Sequence, residues 1–368
     1  MITQNQRYYY HIFYITLISI TLTSVSARFF PDPSSMPAWN SSNAPPGAWD
    51  GYKNFTGCSR GKTYDGLSKL KNYFNHFGYI PNGPPSNFTD DFDEALESAV
   101  RTYQKNFNLN ITGELDDATM NYIVKPRCGV ADIINGTTSM NSGKFNSSST
   151  NFHTVAHYSF FPGQPRWPEG TQTLTYAFDP SENLDDATKQ VFANAFNQWS
   201  KVTTITFTEA TSYSSSDIKI GFYSGDHGDG EAFDGVLGTL AHAFSPTDGR
   251  LHLDKAEDWV VNGDVTESSL SNAVDLESVV VHEIGHLLGL GHSSIEEAIM
   301  YPTISSRTKK VELESDDIEG IQMLYGSNPN FTGTTTATSR DRDSSFGGRH
   351  GVSLFLSLVF LGFGFLSL

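Results

Sequence analysis

The residues best able to do chemistry lie in one run, Val281-His282-Glu283-Ile284-Gly285-His286-Leu287-Leu288-Gly289-Leu290-Gly291-His292-Ser293. His282 and His286 are four residues apart, a spacing that stacks both rings on one face of a helix. Two imidazoles so placed can share a zinc ion at ligand distances of ~2.0–2.1 Å. Glu283 then projects beside the ion, where it can polarise a metal-bound water. Gly289 lets the chain leave the helix in a conformation that a Cβ would resist, and the turn brings back His292 as a third ligand. Three protein ligands leave one coordination position open, as catalysis at zinc requires. A bare H-E-x-x-H would also suit ordinary histidines on a buried helix. The full pattern H-E-x-x-H-x-x-G-x-x-H, with Met300 eight residues further on, favours a catalytic zinc site.

Together with Ser293 and Ala298-Ile299-Met300-Tyr301-Pro302, this pattern resembles the metzincin endopeptidases and, among them, the matrix metalloproteinases or matrixins. The resemblance implies a zinc endopeptidase with Glu283 as its base, Met300 in a Met-turn under the metal, and protein or peptide substrates. It also implies an α+β fold, in which a small three-helix propeptide bundle precedes a catalytic domain with a twisted, mixed five-stranded sheet and three helices. It covers roughly residues 50–326 and is most similar to the plant-type members, which lack a hemopexin-like domain.

The elements that would position these residues are legible in the apolar pattern. Leu67, Leu70, Tyr73, Phe74 and Phe77 recur at helical spacing until Gly78 and Pro81, and Phe92, Leu96, Val100, Tyr103 and Phe107 form a second helix. Leu115, Met120, Tyr122 and Ile123 make a third, and the aromatics read as the core of this bundle. Strands are expected at 174–178, 205–208 and 218–223, with an amphipathic helix over 185–199. The active-site helix should run over 275–290, with Val279-Val280-Val281 against the sheet, and a last helix over 315–325.

The bundle ends in Pro126-Arg127-Cys128-Gly129-Val130-Ala131-Asp132. A cysteine thiolate is a strong zinc ligand and can occupy an open catalytic position. The segment resembles the matrixin cysteine switch, with Ala131 where that family usually carries Pro, and the resemblance implies an Arg127–Asp132 pair shaping the loop. With Cys58 also present, a disulfide is the competing reading. The bundle also resembles peptidoglycan-binding modules, so a wall-binding or adhesion protein with a degenerate metal site is the alternative function. Residues 133–150 are rich in Asn, Ser, Thr and Gly and read as an exposed linker, with an activating cut between 149 and 158 by an unassigned protease.

Between sheet and active-site helix lies a loop dense in donors. His227, Asp229, His242 and His252 offer three imidazoles and a carboxylate, a closed tetrahedral set of the structural-zinc type. Asp234, Asp254 and Glu257 are hard oxygen donors suited to calcium, with the carbonyls of Gly235, Leu237 and Thr239 completing the shell. Taken alone these could be scattered surface residues; their spacing matches the matrixin structural zinc and calcium motifs. Asp217 could serve a second calcium, although Arg250 stands near where an acidic ligand would be needed. By the same resemblance Pro302-Thr303-Ile304 line the pocket for the residue after the scissile bond, and the small Ser278 leaves it deep and apolar. Asp317, read as an acid favoured at a helix N-terminus, is by resemblance the partner of the new N-terminus after activation.

The ends of the chain point to the secretory pathway. Ile12–Thr23 is apolar and precedes the small residues Val25-Ser26-Ala27, giving a signal peptide over 1–27. The expected division continues with a propeptide over 28–152, a catalytic domain over 153–327 and a tail over 328–368. The tail joins a polar spacer with Ser344-Ser345 to an uncharged stretch from Gly351 to Leu368, the pattern of a GPI-anchor signal rather than of a retained tail anchor. Candidate N-glycosylation sites are Asn40, Asn54, Asn87, Asn110, Asn135, Asn146 and Asn330. The net charge of −17 argues against nucleic acid as a partner, since phosphates would repel it.

Overall fold

The structure, a computed structural model, describes residues 47–81, 83, 87–140 and 157–333. The expected signal peptide, the GPI signal, Asn40 and Asn146 lie outside these residues.

Three helices build the N-terminal bundle: α1 (Leu67–His76), α2 (Glu94–Asn106) and α3 (Asp117–Ile123). Asp93 and Asp116 start the last two by accepting the amide protons of Leu96 and Thr119, donors with no partner inside the helix. The aromatics expected in the core are there. Tyr73, Phe74, Phe77 and Tyr103 are buried and meet mostly edge to face, the geometry ring quadrupoles favour.

The second unit is a sheet flanked by three helices. Its strands are β2 (Thr173–Phe178), β3 (Thr206–Glu209), β4 (Ile218–Tyr223), β5 (Thr239–Ala243) and β6 (Arg250–Asp254). The helices are α4 (Asp186–Val202), α5 (Leu276–Leu287) and α6 (Ser315–Tyr325). The five strands expected of this unit are present, but the sheet has a sixth. β1 (Arg127–Cys128), the end of the bundle, pairs parallel with β5, giving the order β1-β5-β6-β4-β2-β3. Only β5 and β6 run antiparallel. β5 would otherwise be an edge strand with unpaired backbone groups, and an extended segment from elsewhere in the chain completes it.

The linker expectation needs correction at its start. Ile133–Ile134 and Thr137–Thr138 form a small antiparallel hairpin through Asn135-Gly136, which have φ of 51° and 75°. Two successive left-handed residues suit the right-handed strand twist, and Asn-Gly is the pair that tolerates them best. Ser139 and Met140 beyond it are buried. Asn54, Asn87, Asn110, Asn135 and Asn330 are all exposed.

α5 is buried on every side, as its lack of an exposed polar stripe requires. Trp199 of α4 lies against it and donates its indole N–H to the Val281 carbonyl at 2.9 Å. Gly285 sits where Met300 and Trp199 close on the helix, and a Cβ there would run into the Met300 sulfur. Gly285→Ala is therefore expected to displace Met300 and cost about 1–3 kcal/mol through overpacking. Urea unfolding of wild type and variant measures the loss.

Candidate active site and metal centres

α5 begins at Asp275, whose carboxylate accepts the Ser278 amide, and runs straight through His282 and His286. It stops at Leu288, because Gly289 takes φ of 105°, and the chain turns back to His292. The three Nε2 atoms converge: His282 to His286 is 3.1 Å and His286 to His292 is 3.2 Å. Two nitrogens at tetrahedral positions on one zinc would be about 3.3 Å apart. Each ring is held from behind. His282 Nδ1 donates to the Ile299 carbonyl at 2.7 Å and His286 Nδ1 to the Leu290 carbonyl at 2.8 Å. A carbonyl can only accept, so the proton sits on Nδ1 and the Nε2 lone pair faces inward. Burial lowers the pKa of all three rings, which keeps the lone pairs free.

The fourth corner is filled by sulfur. Cys128 Sγ lies 3.4 Å from His286 Nε2, and Cys128, His282, His286 and His292 are all buried. Both cysteines are free thiols, so no disulfide competes for Cys128. Its neighbours fix the loop. Arg127 meets Asp132 through two bonds, Nη2 to Oδ1 at 2.7 Å and Nη1 to Oδ2 at 3.0 Å, and lies 3.7 Å from the centroid of the Phe77 ring. Burial opposes the charge on Asp132, but Arg127 and His292 hold its carboxyl well below the usual range.

Glu283 is buried beside this centre, and the Cys128 thiol approaches its carboxylate without reaching good hydrogen-bond geometry. Burial pushes its pKa up to about 8. A carboxylate left unpaired inside a protein is costly unless something polar is meant to meet it, and a water or substrate at the three-histidine centre is the group in reach. Burial and the nearby Glu283 also push the Cys128 thiol well above its normal value, an ordering that a bound cation would reverse.

A second cluster forms between the sheet and the loop before β5. Asp229 Oδ2 is 2.9 Å from His227 Nε2, 2.8 Å from His242 Nε2 and 2.7 Å from His252 Nδ1. Tyr223 and Phe233 stack on His227 and screen it from solvent. Among the described residues, His, Cys and acidic donor atoms gather into metal-sized groups only here and at the three-histidine centre. Four donors leave no place for substrate, which is the arrangement of a structural ion.

The chain matches the matrixin peptidase family over residues 166–326 and a putative peptidoglycan-binding domain over residues 63–123. Metalloendoproteinase 2-MMP of Arabidopsis thaliana is 55% identical over 334 residues, covering 88% of this chain and 88% of its own length. Metalloendoproteinase 1 of Glycine max is 55% identical over 287 residues, covering 77% of this chain and 90% of its own. This chain belongs to the matrixin family.

This matrixin is accordingly a zinc-dependent metalloendopeptidase. Matrix metalloproteinase-20 of Homo sapiens is a more distant relative, 38% identical over 242 residues, or 64% of this chain and 44% of its own length. The other expected ligands of the matrixin are placed less tightly. Asp234 Oδ1 accepts the Thr239 amide and Asp254 Oδ2 the Gly235 amide, across a loop in which Gly235 and Leu237 have φ of 95° and 56°. Glu257 is buried, and the Leu237 amide approaches it without reaching good hydrogen-bond geometry. Burial, with Asp234 and Asp254 close by, pushes Glu257 up to about 8. Asp217 is otherwise engaged, because its Oδ2 accepts both the amide and the hydroxyl of Thr175, and Arg250 pairs with Asp248.

A pocket beside His282 and Glu283 is lined by Leu240, Ser278, Val279, Tyr301, Pro302, Thr303, Ile304 and Lys310. Ser278 does not face it freely: its hydroxyl donates to Asp275 and accepts the Lys310 amide. The expectation for Asp317 moves one residue. Asp317 is fully buried and accepts the amides of Ile299 and Met300 at 2.8 and 3.0 Å, pinning the Met-turn. Asp316, about 100° round the helix, accepts the amides of His157 and Tyr158, both at 2.9 Å.

Proposed function

We propose that this endopeptidase is made as a latent precursor, directed to the cell surface and anchored there by a glycolipid, where it cleaves extracellular proteins before an apolar residue. The observation that carries latency is the sulfur of Cys128 at the one corner of the zinc site that substrate would need. On this reading 28–152 is the propeptide, its strand β1 lies on β5, and cutting between 149 and 158 removes it. The five exposed Asn-x-Ser/Thr sites support secretion with glycosylation, and the uncharged C-terminal stretch supports the anchor. Asp316 then receives the new N-terminus.

Zinc held by His282, His286 and His292 supplies the Lewis acidity that polarises the scissile carbonyl and makes water a competent nucleophile. The rest is done by the chain. Glu283, buried beside the metal site and ionised by the field of the bound cation, takes a proton from the attacking water on a carboxylate oxygen and delivers it to the leaving amine. The rings of His282 and His286 stay fixed because their outer nitrogens are bonded to carbonyls of the catalytic domain itself. The pocket lined by Leu240, Val279 and Ile304 receives the apolar side chain after the scissile bond. His227, Asp229, His242 and His252 hold a structural zinc, and Asp234, Asp254 and Glu257 a calcium ion, with the carbonyls of Gly235, Leu237 and Thr239.

The match to a putative peptidoglycan-binding domain favours a second reading, in which the bundle binds cell-wall glycan. Retention of the isolated bundle on insoluble wall polymer would support it. The seat of Cys128 in the zinc site favours the inhibitory role.

Full-length Cys128→Ser is expected to cleave a quenched peptide without processing, since a hydroxyl is a poor zinc ligand; Cys128→Ser/Glu283→Ala should keep its zinc and lose turnover by several orders of magnitude. A Cys128→Ser precursor that stays silent would count against latency through sulfur. For calcium, wild type should melt higher with the ion than with a chelator. At a pH above about 8, where Glu257 would carry its charge, Glu257→Gln removes a buried, unpaired carboxylate, so it should raise the melting temperature in chelator and abolish the response to calcium. An unchanged calcium response in that variant would remove Glu257 from the site.

A further inference from the structure

The three zinc-site histidines are not braced alike. His282 and His286 lean on carbonyls of their own domain, those of Ile299 and Leu290. His292 reaches across the domain boundary instead, and its Nδ1 donates to Oδ1 of Asp132 at 2.8 Å. Both side chains are fully buried. Asp132 is itself fixed from three sides, by both terminal nitrogens of Arg127 and by the Tyr79 hydroxyl at 2.8 Å. The same Oδ1 takes the Arg127 Nη2 bond and the His292 bond, so the carboxylate is a rigid bridge from the bundle to a ring of the catalytic site.

We infer that Asp132 is a positioning residue for the zinc site, the outer carboxylate of His292, so that the N-terminal bundle holds the site by two separate links: the Cys128 sulfur on the metal and the Asp132 carboxylate on a ligand. This rests on the reading of His282, His286 and His292 as the zinc ligands. A carboxylate behind an imidazole fixes its tautomer and raises its basicity, and losing such a partner costs about 10- to 100-fold in metal affinity. Asp132 lies in the segment that processing removes. Activation therefore does more than clear the sulfur from the open corner, because it strips His292 of its strongest brace and leaves a more weakly bound zinc.

The two links separate in a Cys128→Ser background, where no sulfur can hold the metal. Zinc affinity is measured by competition with a chromogenic chelator on full-length Cys128→Ser and Cys128→Ser/Asp132→Asn; the ion in the three-histidine site is the one lost from a His282→Ala control. The double variant should bind zinc about 10- to 100-fold more weakly. Equal affinity would overturn the role of Asp132. Absence of any His282-dependent zinc in Cys128→Ser would instead sink the ligand assignment beneath it. Should Asp132→Asn fail to fold, the unmodified precursor decides: its proton NMR spectrum must show a slowly exchanging, far-downfield His292 Nδ1–H that disappears on processing. A precursor without that resonance, or a mature enzyme that keeps it, contradicts the proposal.

Discussion

The arrangement on which the rest depends is the convergence of three imidazole nitrogens, each aimed by a bond on the far side of its ring. Left to itself a buried histidine can flip, change tautomer or pair with a neighbour. Here the Ile299 and Leu290 carbonyls and the Asp132 carboxylate accept from Nδ1 and leave Nε2 no role except that of a donor to a cation. The surrounding fold supplies these acceptors. Gly289 turns the chain so that the Leu290 carbonyl lies over His286, and Asp317 pins the Met-turn so that the Ile299 carbonyl lies over His282. The Met-turn thus contributes through its backbone as well as through the Met300 side chain packed under Gly285.

The proposed latency has its structural basis in the same geometry. β5 needs a partner along its open edge, and the bundle provides β1. Pairing in that register puts Cys128 opposite Ala241 and its sulfur beside His286, so backbone hydrogen bonds and metal chemistry select the same position. Arg127, sandwiched between Phe77 and Asp132, converts the aromatic core of the bundle into a rigid base for that strand. The bundle reaches further still. The Ala48 amide donates to the Val236 carbonyl in the loop before β5, and Tyr301 packs among the aromatics of the bundle.

Much of this was legible because local spacing carries it. The i, i+4 histidines, the glycine exit and the return of His292 are properties of a single helix and its turn. The periodic apolar residues of α1 and α2, and the strands at 174–178 and 218–223, likewise appear where the pattern places them. What escaped depends on contacts between distant segments. Nothing near Asp132 indicates that it meets a histidine 160 positions away, nor does Arg127-Cys128 look like a strand until β5 lies beside it. Asp316 and Asp317 are indistinguishable in the sequence, and only the turn of the helix gives one to the Met-turn and the other to the backbone at His157 and Tyr158. The hairpin at Asn135-Gly136 is a different kind of miss. Its turn signal is present in the sequence, but the polar composition around it reads as linker.

X-ray absorption at the zinc edge tests the central claim most directly, because it reports the atoms on the metal without reference to activity. The full-length precursor should show sulfur in the zinc shell at ~2.3 Å, and the processed enzyme only nitrogen and oxygen at ~2.0–2.1 Å. A precursor whose zinc carries no sulfur, or a processed enzyme whose zinc still does, would contradict the account.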